Sequence, residues 1–497
     1  MQRKSAKLVS LFLSFLTAFT VGCGRPPAPV EDNGPPLVLR VSCPDNQAEA
    51  IIQAFSRNWA ARQNAHVAVI RYDPASGPEA VAGADVWLLA PAELPLWAAA
   101  GKLEPIPKNF TDREGAFAWK DLLPQLRELA VWDRIEYGFP VLGESPICFY
   151  RSDLFADPKH QTAFQAKYQH PLGPPATWEE FVEIAEYFQK HAATDRFPHS
   201  LPPLAATDDG LDREYFQIAA AFARRAVSEE EPAEAARVDD VFAFHYDLRS
   251  GQPRIASPGF VYSLNRLKEL QTYRPQEPVA EPAEAFAQGK AVLCLADAPW
   301  AARFQKSDGI RDKFSTCTIP GGERYFSFET GEERSAREPN RVPYLGAAGF
   351  LGVVPRGAAH GKEAFDLLAN LAGRETSGRI VINPRWGGGA IRSEQLDERS
   401  RWDDFQLDGS RTAALKEALR QTLLHRGTKN PVLRLRTPDQ GPHRAALLEK
   451  LRSVLLQGAE PKSALQAAAQ RWEKLDQQRG EAKHKTEYAL SVGLEGR

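Results

Sequence analysis

The sequence predicts an α/β protein of two lobes with a helical C-terminus. Three observations carry that prediction. First, 497 residues exceed what a single core usually serves. Second, strand-like and helix-like stretches alternate from Leu37 to Leu89, the pattern of a mainly parallel sheet layer. Third, the segment from Gly138 to Asp153 holds two extended apolar runs separated by Gly143-Glu144-Ser145. Pro140 and Pro146 fix φ and remove backbone donors there, while Gly138 and Gly143 permit a bend. Such a segment suits a stiff strand that leaves one lobe and enters another.

In chain order, Arg3, Lys4 and Lys7 form a basic head, Leu8 to Val21 an apolar run too short for a comfortable membrane span, and Gly22-Cys23 its end. Residues 1–22 therefore read as a secretory signal peptide. Gly24 to Pro36 is Pro-rich and polar, an extended tether. Leu37 to Cys43 is the first strand, 47–63 a helix, His66 to Asp73 a second strand and Ala84 to Leu89 a third. Ligands at such sheets lie outside the carboxyl ends of the strands, which brings Asp45, Asn46, Asp85 and Trp87 near a cleft. The alternative reading ends a loop at Asp85 and places Trp87 in the core.

Further on, Thr177 with Glu180 three residues later has the form of a capping box. Trp178, Phe181, Ile184, Ala185 and Phe188 then make an apolar helix face, and Trp178 is assigned to packing. Helices are expected over 213–225 and 257–272. Phe242, Phe244 and Tyr246 stand on strand alternation. Gly289 ends a helix and a strand through Cys294 follows, then Trp300. Apolar stripes mark helices over 413–425, 443–456 and 461–475, and the charged chain beyond Asp476 reads as frayed.

Composition excludes several classes. A net charge of -2 with 25% charged residues gives no reason to expect nucleic acid as a partner. The Gly346–Gly352 run lacks dinucleotide spacing, and Gly357 to Lys362 lacks phosphate-loop spacing. Gly143-Glu144-Ser145-Pro146 fails as a nucleophile elbow at its last position. There is no His-Glu-x-x-His pair and no clustered His-Cys set, so neither a metal nor a cofactor is expected. Cys43, Cys148, Cys294 and Cys317 are widely spaced. Cys148 and Cys294 sit in apolar runs, and Cys294 with Cys317 is the candidate bridge.

Taken in order, four motifs resemble those of the extracellular solute-binding proteins of ABC importers, family 1, which includes many sugar binders. They are the Gly138–Asp153 crossing segment, Pro175-Ala176-Thr177-Trp178-Glu179-Glu180, Phe286 through Val292 with Gly289-Lys290, and the glycine-rich Gly346 to Pro355. Tyr150-Arg151-Ser152-Asp153-Leu154-Phe155 is similar to a further family motif, with Arg151 where Asn is usual. Thr20-Val21-Gly22-Cys23 resembles a bacterial lipobox, with Thr20 where Leu is usual.

The resemblance implies a two-lobed periplasmic-binding-protein-like fold of type II, with crossing hinge strands. One lobe would combine 37–142 with 301–342, the other 143–300 with 343–478, ahead of a charged tail at 479–497. It implies a lipidated Cys23, an anchor at the periplasmic or cell-surface side, a monomer, and delivery of a sugar or other polyol to a permease pair. It also implies cleft residues. Trp300 would stack on a sugar face, its alternative being a core Trp opening a helix. Tyr344 would reach the ligand. Trp386 and Arg392 would border it, or else sit in an exposed loop. Asp45, Asp85, Glu144 and Asp297 would accept hydroxyl hydrogen bonds. The function expected is solute capture without catalysis; the alternatives are a secreted carbohydrate-active hydrolase or a non-transport binding lipoprotein.

Overall fold

The computed structural model describes residues 36–74, 76–112, 117–195, 197–227, 237–397, 399–424 and 431–494. The signal peptide 1–22, Cys23 and all of the tether but Pro36 lie outside the described residues.

Eight strands build two sheets: β1 (Leu37–Cys43), β2 (Ala65–Arg71), β3 (Val86–Leu89), β4 (Phe139–Leu142), β5 (Pro146–Tyr150), β6 (Leu293–Asp297), β7 (Ser315–Cys317) and β8 (Phe350–Val353). The larger sheet runs β2-β1-β3-β8-β4. β1 is parallel to both β2 and β3, as the strand–helix alternation predicts, while β8 is antiparallel to β3 and β4. The smaller sheet runs β6-β5-β7, antiparallel throughout. β4 and β5 belong to different sheets and are separated by Gly143-Glu144-Ser145, so the crossing segment does pass from one lobe to the other.

Why that crossing is possible is a matter of space. Gly143 N–H donates to the Gly389 carbonyl at 3.0 Å, and a side chain at Gly143 would collide with the backbone of Ala390. Gly349, at φ +89°, lies equally close to the Leu142 carbonyl. The three-glycine turn after Trp386 therefore serves to pack against the crossing strand.

The sheets divide the chain differently from the sequence-based partition, which is corrected here. β7 pairs with β5, so residues through Cys317 stay with the smaller sheet instead of returning to lobe one within 301–342. β8 completes the larger sheet, so the chain beyond 343 is not all lobe two. An edge strand of three residues and a four-residue central strand carry too little pattern to declare their sheet. The Phe242–Pro253 stretch is also corrected: Val238–Phe242 is helical, and Tyr246 meets Pro253 only in an isolated bridge. The tail is a packed helix, Glu481–Ser491, not a frayed end, because His484 and Tyr488 are buried against Tyr246.

The smaller sheet is apolar on both faces. Phe149 meets Phe304 edge-on at 4.9 Å on one face, and Cys148 belongs with Phe155 and Phe188 on the other. This alternation settles the cysteines, all four of which are free thiols. Cys294 stands opposite Phe149, whereas Cys317 stands opposite Cys148. Cys294 and Cys317 are thus on opposite faces and two strands apart, so the expected Cys294–Cys317 bridge is corrected. Directly opposed antiparallel residues have Cα separations of about 4.5–5.5 Å, within the range a disulfide spans. Mild oxidation of the purified protein is therefore expected to remove two thiols, those of Cys148 and Cys317. Thiol counting with peptide mapping checks this, and loss of two thiols in Cys317→Ser would contradict it.

Candidate ligand-binding cleft

Between the two sheets lies a cleft of about 610 Å³. The larger sheet contributes the turn after β1 (Pro44, Asp45, Gln47) and the turn after β3 (Ala90, Ala92, Glu93). These are the carboxyl ends of parallel strands, where the alternation rule puts a ligand. The smaller sheet contributes β6 and Trp300. The Asp208–Ala223 helix supplies Arg213, Glu214 and Gln217, and Gly346–Gly349, a second crossing by which the chain returns to the larger sheet ahead of β8, supplies Ala347, Ala348 and Gly349.

Several charged groups here are paired and therefore held in place. Arg213 grips Asp297 with both terminal nitrogens, at 2.8–3.0 Å. Arg274, almost fully buried, donates to Glu214 at 2.6 Å. Such bidentate and charge-assisted pairs hold side chains in one geometry while leaving lone pairs and N–H groups for a ligand. Asp45 accepts from the Ala48 N–H at 2.8 Å and caps the following helix, so one of its oxygens is committed to the backbone. Trp300 opens the Trp300–Lys306 helix half-buried, its ring covered on one side by the Arg303 guanidinium at 4.0 Å.

Burial raises two carboxyls. Glu93 lines the cleft and is pushed above the usual carboxylate range by desolvation. Glu144, in the crossing segment, is pushed up to about 7 by burial, against the opposing pull of the Gly346 N–H it accepts. Its second oxygen has no hydrogen-bond partner among the described residues.

Of the ten residues expected at the site, Asp45, Asp297 and Trp300 line the cleft. Glu144 lies behind it, bonded to the Gly346 that precedes the lining residues. The other six are corrected. Asn46 is exposed and accepts from Arg71. Asp85 is buried and accepts from the Arg40 and His360 N–H groups, both at 3.0 Å, tying β1 to the start of a helix. Trp87 packs edge-on against Trp97 at 5.4 Å within the core. Tyr344 is buried, donates to Asp212 at 3.0 Å, and borders a separate cavity of about 220 Å³. Trp386 packs on Phe55. Arg392 is fully buried and donates to three backbone carbonyls.

Sequence reasoning missed Arg213, Glu214 and Gln217, which sit on one helix without a distinguishing motif, and Arg274, which follows the Gln271–Tyr273 turn. It placed Trp178 in packing, and the residue is indeed 1% exposed. Yet Trp178 also lines the cleft, and its indole N–H has no partner among the described residues. The Thr177 box forms as expected, with one change of detail. Thr177 accepts from Glu180 N–H at 3.2 Å, and Glu180 reaches back to Ala176 N–H at 2.6 Å.

Two lobes joined by crossing strands, with an open cleft lined by polar groups and an indole, have the architecture of a protein that binds a small solute. The profile of the bacterial extracellular solute-binding proteins matches residues 71–378, and the chain belongs to that family. No curated protein sequence matches it. Among solved structures, the maltose-bound MalE3 of T. maritima superposes with a TM-score of 0.64 at 16% identity, covering 88% of this chain and 100% of that one. The sugar-binding MalE of Xanthomonas citri gives 0.61 at 18%, covering 89% and 98%. A solute-binding protein of Agrobacterium radiobacter K84 in complex with ribitol gives 0.63 at 15%, covering 88% and 98%. These likenesses establish the fold. Among the described residues, no helix is long and apolar enough to cross a membrane.

Proposed function

We propose that this protein captures a sugar or polyol between its lobes and delivers it to an ABC importer, acting as a monomer tethered through a lipid on Cys23. The observation that carries the ligand class is the cleft itself. Trp300 offers an apolar ring face beside Asp297 and Arg213, a donor–acceptor pair held rigid by two-point bonding. A sugar ring presents the matching features, one apolar face and a rim of hydroxyls. The similar structures bound to maltose and to ribitol agree with this class. The hinge is the pair of crossings at Gly143–Ser145 and Gly346–Gly349. Ligand binding shifts the population to the closed form only through better contacts there. No chemistry on the ligand is assigned: Asp297 and Glu214, two of the carboxylates lining the cleft, are each paired with a guanidinium.

A thermal-shift screen of the purified protein against mono-, di- and oligosaccharides and polyols tests the proposal. Binding to the native state raises the melting temperature by mass action. One saccharide or polyol is expected to give a clear shift, and Trp300→Ala to weaken its affinity by about tenfold or more, roughly 1.4 kcal/mol per tenfold. A ligand that is consumed, with product seen by chromatography, would replace capture with hydrolysis. No shift across the panel would remove sugars and polyols as the ligand class.

A further inference from the structure

Three helices meet near the C-terminus, beyond the residues that match the family profile: Gln440–Gln457, Pro461–Arg479 and Glu481–Ser491. Asp439 precedes the first, His443 lies on its first turn, Asp476 is on the second and His484 on the third. One donor atom from each of Asp439, His443 and His484 lies within 4.8 Å of the others. Asp476 Oδ1 is 2.8 Å from His443 Nε2 and 3.3 Å from His484 Nε2. His443 and His484 are each 1% exposed and Asp476 is 4% exposed. We infer that Asp439, His443, Asp476 and His484 bind one divalent transition-metal ion of the zinc class.

The argument starts from hydrogen bonding. His443 Nδ1 is 3.1 Å from the Asp439 carbonyl oxygen, which can only accept, so Nδ1 carries the proton. In the neutral ring, Nε2 then presents a lone pair to the Asp476 carboxylate, a repulsive contact unless a cation lies between. This is also the arrangement that orients metal-binding histidines elsewhere, one ring nitrogen donating to a carbonyl and the other facing the ion.

His484 strengthens the case. Neither of its ring nitrogens makes a hydrogen bond among the described residues, and its nearest carboxylate oxygens are at 3.3 and 3.8 Å. Asp439 Oδ1 and Asp476 Oδ2 are likewise without partners, and the Asp439 side chain does not cap its own helix. Buried polar atoms left unpaired are costly, and unpaired imidazole nitrogens and carboxylate oxygens gathered in one cluster call for a shared partner, one nitrogen of His484 serving the ion.

Charge agrees with a divalent ion. Glu487 is taken by Arg479, at 2.6 and 3.0 Å, whereas Arg479 stands 3.9 Å from Asp439. That leaves the two carboxylates of Asp439 and Asp476 for two positive charges. Two imidazoles with two carboxylates suit zinc and its first-row neighbours, and not calcium or magnesium, which take oxygen. Tyr246 completes the surround: its hydroxyl donates to Asp476 at 3.3 Å and its ring lies 4.7 Å from that of His484. The ion would join all three helices. The first of them carries Gln440 and Arg444 into the ligand cleft, so the same ion would brace that wall.

The test uses the purified full chain, stripped with a chelator, dialysed, and titrated with zinc chloride in competition with a chromophoric chelator. One zinc per chain is expected, with a rise in melting temperature. Cobalt(II) in its place is expected to give the intense visible bands of a tetrahedral nitrogen–oxygen site. His484→Gln, which keeps side-chain volume and polarity, is expected to weaken zinc binding by at least about 100-fold, more than loss of an outer partner costs. His191→Gln, outside the cluster, should leave it unchanged. If His484→Gln fails to fold, the cobalt spectrum of the unaltered chain decides. Weak octahedral bands or none, an unmoved melting temperature, or zinc binding indifferent to His484→Gln would each overturn the assignment, leaving the His443–Asp476 contact as a direct one without an ion.

Discussion

Arg392→Ala is expected to cost about 3 kcal/mol or more of stability, since it strands three buried carbonyls at about 1–3 kcal/mol each. Its guanidinium is wholly inside the protein and donates to the carbonyls of Ala118 at 3.0 Å, Phe117 at 3.0 Å and Ala372 at 3.1 Å. Ala118 is itself in the left-handed region, at φ +53°, a conformation that a residue with a Cβ adopts only under constraint. The arginine holds that turn. Alanine would strand three carbonyls and leave a cavity lined by Phe117, whose ring lies 5.0 Å from the guanidinium. Denaturant unfolding followed by intrinsic tryptophan fluorescence measures the loss. Affinity for the cleft ligand should hold in the folded fraction, because Arg392 does not line the cleft. A loss below about 1 kcal/mol would mean that the turn is held by other contacts.

Arg392 also shows where sequence reading stops. A glycine-rich turn with a tryptophan and an arginine offers groups suited to a ligand, and the same groups suit the close packing of two chain crossings. Nothing local separates these uses, since the partners of Arg392 lie 20 and about 274 residues away in sequence. The crossing strand, by contrast, was legible because Pro140, Gly143 and Pro146 act on their own backbone. Parallel strands and their helices were legible through periodicity, and with them the rule that put Asp45 by the cleft. Trp300 followed from a motif with fixed spacing to Gly289. Arg213 and Arg274 could not be found that way: each is one arginine among many on an amphipathic helix or its end, selected only by where Asp297 and Glu214 come to rest. The partition of the lobes failed at β7 and β8 for the same reason, because sheet membership is a long-range pairing and those strands are short.

Glu144→Gln is expected to stabilise the protein at pH 8 and to leave it nearly unchanged at pH 4. Burial raises the folded-state pKa of Glu144 from the ordinary 4.5 to about 7. The folded state therefore holds this proton more tightly than the unfolded chain does. Stability from that preference is full below about pH 4.5 and is lost as pH rises toward 7. Above 7 the folded protein carries a buried carboxylate whose second oxygen has no hydrogen-bond partner among the described residues. At roughly 1.4 kcal/mol per unit of pKa, the difference between the two ends of the window is about 3 kcal/mol. Glutamine keeps the oxygen that accepts from Gly346 N–H and removes the charge, so most of this should be recovered as a higher melting temperature at pH 8. Melting curves of both proteins from pH 4 to 8 test the sign. Parallel curves would show that Glu144 does not change charge across that range.

The consequence for function lies in position. Glu144 is in one crossing segment and bonds to Gly346 in the other, so it links the two crossings proposed as the hinge. Arg213, which holds Asp297 in the cleft, draws the Glu144 pKa down, while Asp297 draws it up. A ligand that engages the Arg213–Asp297 pair changes the field at Glu144, and by linkage the proton on Glu144 changes ligand affinity. Affinity of the unaltered protein should therefore vary between pH 6 and pH 8, and that variation should vanish in Glu144→Gln. Equal pH dependence in the two proteins would uncouple the hinge carboxyl from the cleft and confine its role to packing.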